Sequence, residues 1–278
     1  MATADEGTVV KVTIVVPTRN SQRTIRACLE SIKRQTYPCR IVVIDNDSDD
    51  DTVRIARSIA DVVLDGGPER SAQRNQGAAV LPAAVFGFID SDMVLATGIV
   101  SEAVAAILSG AGAVIVPERT IGQGYWAHVR AFERSFYVGS DALEAARFYS
   151  QSVFESAGGF DENLTGPEDW DLTVEARNRA PVVRITSMID HDEGHVRYFD
   201  ACRKKAYYAE GLRRYSHKRG TQAFRDAAAR PWLSHPIQLL TPSGFGLIML
   251  KMGEAFAVSA ALLRGRLVRD RRMRSRVL

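Results

Sequence analysis

Cysteine is scarce, with three in 278 residues, at Cys28, Cys39 and Cys202. An odd and widely spaced set excludes a disulfide framework and the paired spacing of a zinc site. Cys28 falls in an apolar helical pattern, so a buried thiol in a reducing cytosol is expected. Net charge is also small, +3 from 36 basic and 33 acidic residues, and nothing global points to nucleic acid. No run of 18 uncharged apolar residues occurs, so no spanning helix is expected. Met1 to Thr8 is short and polar and does not read as a secretory leader. No internal repeat and no low-complexity linker is found. What is left is an ordinary globular composition, 46% hydrophobic and 25% charged. The length suits one large domain, or one domain and a tail.

The charge is unevenly spread. Residues 264–278 hold seven Arg and one Asp, so this tail carries +6 and residues 1–263 carry −3. A basic end on a mildly acidic body fits an anionic surface such as membrane phospholipid, and fits a solvated tail equally well.

Hydrophobic periodicity predicts alternating elements. Lys11 to Val16, Arg40 to Ile44, Asp61 to Leu64 and Val85 to Ile89 read as buried strands. Between them, 21–35, 52–60 and 70–81 read as helices, the first capped by Asn20 or Ser21. Further on, 99–108 reads as a helix, 113–117 as a strand, 168–178 as a helix with an acidic first turn, 182–189 as a strand and 199–215 as a basic, aromatic helix. The stretch 120–160 is mixed and punctuated by Gly. Strands alternating with helices predict an α/β fold, a Rossmann-like and mostly parallel sheet flanked by helices. Such sheets bind ligands beyond the carboxyl ends of their strands. The polar clusters Thr18–Asn20, Asp45–Asp51 and Asp90–Asp92 all stand at those ends.

Asp90-Ser91-Asp92 places two carboxylates directly after a buried strand. A divalent cation, Mg2+ or Mn2+, would pair them and bridge a diphosphate. Alone, the motif is more often an ordinary turn. Asp45 follows a buried strand too, where it would accept from a nucleobase or a ribose hydroxyl, or simply close a turn. Arg74 and Asn75 would start near the same rim, Arg74 as a phosphate contact or on a solvated helix face. Glu168, Asp169 and Asp171 follow a Gly-Pro turn, where the helix dipole favours carboxylates and keeps one ionised as a general base. His191 and His195 follow the 182–189 strand. His191 is the metal-ligand candidate, and His195 is expected at the surface.

Together these segments resemble the family 2 glycosyltransferases, which have a GT-A type fold, over roughly residues 11–215. The matching stretches are Val12–Asn20, Val42–Thr52, Arg74–Gly77, Phe88–Asp92, Gly158–Glu162 and Glu168–Leu172. The resemblance implies an inverting transfer of one sugar from a nucleotide-diphosphate sugar, a UDP- or GDP-sugar, by an enzyme of the hexosyltransferase class. Pro17, Thr18, Arg19, Asn20, Asp45, Asn46, Arg74, Asp90 and Ser91 would bind the nucleotide sugar. Asp92, with Asp90 and His191, would hold the metal. Asp169 would be the general base, supported by Glu168. The second motif departs from the family, with Asp45-Asn46-Asp47-Ser48 where many relatives have a second Asp and a Gly, and this leaves the base identity open. The Gln-x-x-Arg-Trp motif of processive synthases is missing, which argues for single addition.

The expected division is a catalytic domain over 1–230, with a nucleotide-sugar half at about 9–117 and an acceptor half at about 118–230. A helical basic C-terminal extension, 231–278, follows. Pro236 to Leu263 is apolar but broken by Lys251 and Glu254. With the Arg-rich end it reads as an interfacial segment, as a helix packed on the domain, or as a dimer interface. The first reading implies a cytoplasmic protein touching the inner face of the membrane through 236–278, with a lipid-linked acceptor; a small glycoside is the other acceptor class. A non-catalytic nucleotide-sugar-binding protein is the alternative function. A sugar nucleotidyltransferase ranks lower, because Pro17 to Ser21 stands where its Gly-rich loop would be.

Overall fold

The computed structural model describes residues 9–221 and 230–274, with side chains up to Arg264. The chain divides into two compact units. Unit 1 takes the described residues of Met1–Pro117 with Ala146–Phe160 and Leu172–Ile189. Unit 2 takes Glu118–Ala145, Asp161–Asp171 and the described residues of Asp190–Leu278. The described residues from Pro231 onward therefore group with 118–145.

Unit 1 is built on β1 (Val12–Thr18), β2 (Arg40–Asp45), β3 (Val62–Asp65), β4 (Val85–Phe88), β5 (Met93–Leu95), β6 (Ala113–Ile115), β8 (Ala146–Ser150) and β9 (Val182–Arg184). Seven of these form one sheet in the order β3-β2-β1-β4-β8-β6-β9. The pairs β1–β2, β2–β3, β1–β4 and β6–β9 are parallel, and β8 runs antiparallel between β4 and β6. The expected mostly parallel sheet is present. Strand order reverses at β1, with β2 on one side and β4 on the other, which makes the crevice at their carboxyl ends a topological switch point. Register aligns Thr18 with Asp45 and Val15 with Phe88. Asp90, two residues past Phe88, leaves the sheet at the same rim.

Both faces of the sheet are covered, as the near-continuous apolar strands require. Val12, Ile14 and Val16 of β1 face one core. There Ile25, Cys28, Leu29 and Ile32 of α1 (Ile25–Lys33) pack with Ile99, Val100, Ala103 and Val104 of α4 (Ile99–Leu108). Val15 faces the other core, with Ile44, Phe86, Phe88, Tyr149, Phe154 and Phe160. Each large apolar side chain buried there contributes on the order of 1.5–3 kcal/mol. The helix α2 (Thr52–Arg57) follows β2, and α3 (Arg70–Val80) lies on the second face. Gly77 lets α3 approach, because a Cβ there would stand 2.3 Å from Cγ1 of Val15. The helix α1 starts later than the sequence predicts. Asn20 takes a left-handed backbone (φ 48°), the N-cap is Thr24, and neither Asn20 nor Ser21 caps with its side chain. Asn20 bonds the loop after β2 instead, through Ser48 and Asp49, and the Ser21 carbonyl accepts from Thr24 and Ile25 N–H at the start of α1.

Unit 2 holds the parts the sequence left undefined. These are β7 (Glu118–Gln123), α5 (Tyr125–Ser135) and most of β10 (Ile189–His195). β10 and β7 are neighbours in a smaller sheet. The predicted strand 182–189 is therefore two strands, and His191 lies within β10 rather than after a strand. The predicted helix 199–215 is also two, α8 (Tyr198–Tyr207) and α9 (Ala209–Arg219), divided at Tyr208. In unit 1, α6 (Gln151–Ser156) follows β8, and α7 (Glu168–Arg177) runs from unit 2 into unit 1. The C-terminal part comprises a 3-10 turn (Pro231–Ser234), α10 (Pro236–Leu239) and α11 (Pro242–Arg274). Val129, Trp232, Leu247 and Leu250 form their shared core. By length and composition, Pro242–Arg264 of α11 is long and apolar enough to cross a membrane, contrary to the sequence-based expectation. Lys251 and Glu254 interrupt this span and Arg264 closes it, so a search for 18 uncharged apolar residues passes over it. Of the basic tail, 275–278 and the side chains of 265–274 lie outside the described residues.

A buried ion-pair group fastens unit 2 internally. Arg130 of α5 reaches both carboxylate oxygens of Glu193 on β10 (3.1 and 3.0 Å) and also Glu133 at 3.2 Å. Lys251 of α11 pairs with Glu133 at 2.5 Å and Glu254 at 2.7 Å. Burial alone would raise Glu133 and Glu193. The surrounding cations, with hydrogen bonds from Lys251, Tyr137 and Arg130, more than offset it and hold each at about 2. Burial lowers Lys205 to about 8, beside this group.

Candidate active site

In unit 1 the rim at the switch point is organised by α3. Gln73, buried, donates through Nε2 to the carbonyls of Thr18 (3.1 Å) and Ile44 (2.7 Å), fixing the ends of β1 and β2. Arg74 is fully buried, at 0% exposure, and donates to Asp90 at 2.6 Å. Its guanidinium also lies over the Phe160 ring, 5.0 Å from the centroid. The solvated-helix-face alternative for Arg74 is thereby overturned. Asn75 exchanges two 2.9 Å hydrogen bonds with the Phe160 backbone, one in each direction. A guanidinium taken fully from water needs a close anion, and Asp90 supplies it.

Asp90 has a second cation, Arg147 of β8, at 3.7 Å. A carboxylate held between two arginines is fixed in direction. Asp90 accepts through its backbone carbonyl from Met93 N–H, closing the turn that presents Ser91 and Asp92. Ser91 Oγ lies 2.8 Å from Ser21 Oγ, tying this turn to the β1 loop. Beneath it Cys28 is buried and its thiol is raised, by burial first and then by the charges of Asp92 and Asp90. Cys28 is therefore packing material rather than a nucleophile.

The loops after β1 and β2 are laced together. Asn20 N–H donates to Ser48 Oγ (2.8 Å), and Asn20 Oδ1 accepts from Asp49 N–H (3.0 Å). Asp45 is buried and its two oxygens accept from Ser48 N–H (2.8 Å) and Ser48 Oγ (2.6 Å), so it closes its own turn. Asn46 donates to the Pro68 carbonyl at 2.7 Å. Thr18 Oγ1 is buried without a hydrogen-bond partner in the protein, a rim hydroxyl with capacity for a ligand. Pro17 and Thr18 complete the buried run of β1, and Arg19 is exposed beyond it. Unit 1 thus brings together Pro17, Thr18, Arg19, Asn20, Asp45, Asn46, Arg74, Asp90, Ser91 and Asp92. Sequence reasoning missed Gln73, Ser48, Arg147 and Phe160. Ser48 and Phe160 lay inside the matching stretches Val42–Thr52 and Gly158–Glu162, and Gln73 stood next to Arg74, whereas Arg147 carried no signal.

In unit 2 the acidic start of α7 is sorted by environment. Glu168 is buried and accepts from Gly166 N–H. Asp171 is buried and takes Arg219 Nε (2.6 Å) and Lys218 Nζ (2.9 Å) from α9. Asp169 stands between them half-exposed. Two of the three carboxylates are thus structural, and Asp169 retains access to solvent. His191 is buried on β10 with Nδ1 3.3 Å from Glu118, and His195 is exposed as expected.

Among the described residues, no three His, Cys, Asp or Glu side chains cluster as a ready metal cage. The single carboxylate of Asp92 would suit a different donor set. A hard cation accepts one or two carboxylates and completes its shell with phosphate oxygens and water.

The Glycosyl transferase family 2 profile matches residues 13–158, a little more than half of the chain. The chain belongs to glycosyl transferase family 2. It is 31% identical over 91 residues to Glycosyltransferase AglE of Haloferax volcanii, covering 29% of this chain and 30% of that protein. It is 40% identical over 53 residues to the 4,4'-diaponeurosporenoate glycosyltransferase of Staphylococcus aureus, covering 19% and 14%. The chain thus matches less than a third of the length of either relative. Two solved structures share the fold. One is the mannosyltransferase PcManGT from Pyrobaculum calidifontis in complex with GDP-Man and Mn2+, with a TM-score of 0.56, 17% identity and coverage of 92% and 79%. The other is glucosyl-3-phosphoglycerate synthase from Mycobacterium tuberculosis with Mn2+, UDP and glucosyl-3-phosphoglycerate, with a TM-score of 0.51, 18% identity and coverage of 74% and 80%. The likeness bears on the fold, a GT-A type α/β arrangement with a mostly parallel sheet flanked by helices.

Proposed function

We propose that the chain is an inverting, non-processive glycosyltransferase. It moves one sugar from a UDP- or GDP-sugar to an acceptor hydroxyl with the help of a divalent cation, Mn2+ or Mg2+. The supporting observation is the Arg74–Asp90–Arg147 group at the switch point, with Asp92 two residues on and the Thr18 hydroxyl at the same rim.

In this reading Pro17, Thr18, Arg19, Asn20, Asp45 and Asn46 line the nucleoside pocket. Asp90 and Ser91 face the ribose, and Arg74 acts through Asp90 as a positioning residue. Asp92 would hold the cation. His191, whose Nδ1 lies 3.3 Å from Glu118, would be its imidazole ligand. When bound, the ion neutralises the charge that grows on the departing diphosphate. The acceptor oxygen bonds to the anomeric carbon as the bond to the diphosphate breaks. Its proton passes to the Asp169 carboxylate and the configuration inverts. Glu168 supports Asp169 by holding the Gly166 turn at the helix start. The missing Gln-x-x-Arg-Trp motif supports single addition. The acceptor is lipid-linked or a small glycoside, and the protein is cytoplasmic with a peripheral contact to the inner membrane face through 236–278.

The test is a thermal-shift series with UDP, GDP and their sugars in the presence of Mn2+, followed by assay of nucleoside diphosphate release. A ligand that binds only the folded state raises the melting temperature. Asp169→Asn should lower turnover by about 10²–10⁴ while the donor still stabilises the protein. Full turnover in Asp169→Asn removes it as the base. No stabilisation by any donor removes the nucleotide-sugar reading.

A further inference from the structure

The helix α11 turns the charges of its apolar stretch inward, toward the rest of unit 2. Lys251 and Glu254, the two ionised residues in the apolar stretch, are paired within unit 2. Lys251 meets Glu133 at 2.5 Å, and Glu254 meets Lys251 at 2.7 Å and Arg130 at 3.8 Å. Leu247 and Leu250 are buried on the same side. The outward side carries Phe245, Ile248, Met249, Met252, Phe256 and Leu263, all exposed, with Phe256 at 77% and Met252 at 69%. Their spacing of three and four residues places them in one stripe of an α-helix. Ile237 and Leu240 of α10, just before it in the chain, are also exposed. One flank of α11, at Val258 and Leu262, lines an apolar groove of about 360 Å³ with Ala209 and Leu212 of α9. A continuous exposed apolar stripe of this kind marks an interaction surface rather than scattered surface hydrophobics.

Charge identifies the occupant. The helix continues to Arg274, and residues 264–278 carry seven Arg against one Asp. An apolar stripe running into a net +6 segment matches an acyl layer beneath anionic headgroups. A second copy of the chain would bring an equal positive charge to the same end, which opposes pairing in parallel. The inward ion pairs also decide between lying on a bilayer and crossing it. A span over Pro242–Arg264 would carry Lys251 and Glu254 to the bilayer centre and strip them from Glu133 and Arg130.

We propose that α11 is an in-plane membrane anchor. Its Phe245–Leu263 stripe sits at the headgroup–acyl boundary of an anionic membrane, while Lys251 and Glu254 keep it fastened to unit 2. This rests on the peripheral-contact part of the function proposed above and specifies its surface.

The experiment is co-sedimentation of the full chain with phosphatidylcholine vesicles, with and without phosphatidylglycerol. The wild type should bind the phosphatidylglycerol vesicles at least tenfold more tightly, and alkaline carbonate should extract it. Met252→Glu with Phe256→Glu should lower that binding at least tenfold and leave the melting temperature and donor turnover in solution unchanged. Phe256→Ser, a milder change, should lower binding in the same direction. Unchanged binding in the double variant overturns the stripe. Resistance to alkaline extraction overturns the in-plane geometry. A wild-type dimer that the double variant abolishes, with no vesicle binding, assigns the stripe to a second copy and overturns the proposal. Donor turnover reads the enzymatic proposal separately, since vesicle binding does not require it.

Discussion

The fully buried guanidinium of Arg74 donates to the Asp90 carboxylate at 2.6 Å, and so a helix side chain sets the direction of the acid at the end of β4. Removing one partner of a buried pair leaves the other uncompensated. Arg74→Ala should cost about 3 kcal/mol or more in urea unfolding, since breaking such pairs costs roughly 3–5 kcal/mol. Arg74→Lys should recover only part of it, because an ammonium keeps the charge but loses the planar contact over Phe160.

Asp92 and Asp90 should separate in their effects. Asp92→Asn should raise the Mn2+ concentration needed for half-maximal nucleoside diphosphate release by at least about tenfold, with little change in melting temperature. Asp90→Asn should lower the melting temperature as well, because it leaves Arg74 and Arg147 facing a neutral amide. Equal metal dependence in Asp92→Asn and wild type would remove Asp92 as the ligand.

Gly77 tests how tightly α3 is seated. Its missing side chain is occupied by Val15, whose Cγ1 would stand 2.3 Å from an added Cβ. Overpacking costs about 1–3 kcal/mol, and the better helix propensity of Ala returns about 1 kcal/mol. Gly77→Ala should therefore destabilise by about 1 kcal/mol. Adding Val15→Ala should relieve the clash, so the two changes should be non-additive in denaturant titrations.

Acid should loosen unit 2 through its buried glutamates. Glu133 and Glu193 have an ordinary value of 4.5 and sit at about 2 in the folded state, where Arg130, Lys251 and Arg134 outweigh the burial. Between those limits the unfolded chain binds more protons than the folded one. Their contribution is whole above pH 4.5 and is lost as pH falls toward 2. All three tryptophans, Trp126, Trp170 and Trp232, lie in unit 2, so fluorescence reports this unit alone. Glu133→Gln should flatten the acid limb of that signal.

The strands β1, β2 and β4 were legible because they are buried on both faces and read as unbroken apolar runs ending in polar residues. That pattern also marked the rim, from Thr18 to Asp92. β10 was not legible. Its stretch Ile189–His195 is mostly polar, and it is a strand because Glu193 is paired with Arg130 and His191 faces Glu118, partners distant in sequence. The break between α8 and α9 has no Gly or Pro at Tyr208. The close approach of Gly211 to Thr165, with a carbonyl 2.0 Å from a virtual Cβ, is a tertiary constraint that no local pattern carries. The solvated-face reading of Arg74 failed because a buried arginine becomes visible only once Asp90 and Phe160 are seen around it. The sorting of Glu168, Asp169 and Asp171 likewise depends on Gly166 and on α9, and three adjacent acids look alike without them.

The helix α3 uses five successive residues on five different tasks. Gln73 ties the ends of β1 and β2, Arg74 aims Asp90, and Asn75 clasps Phe160. Gln76 donates to the Asp65 carbonyl, and Gly77 admits Val15. A helix ordinarily tolerates replacement on the positions that face away from its core, so mutational tolerance along it rises and falls every three to four residues. Here that rhythm should vanish. A saturation scan across Gln73–Gly77 should show an unbroken block of intolerance, and neutral drift in this chain should be channelled around that block to the flanks of the same helix.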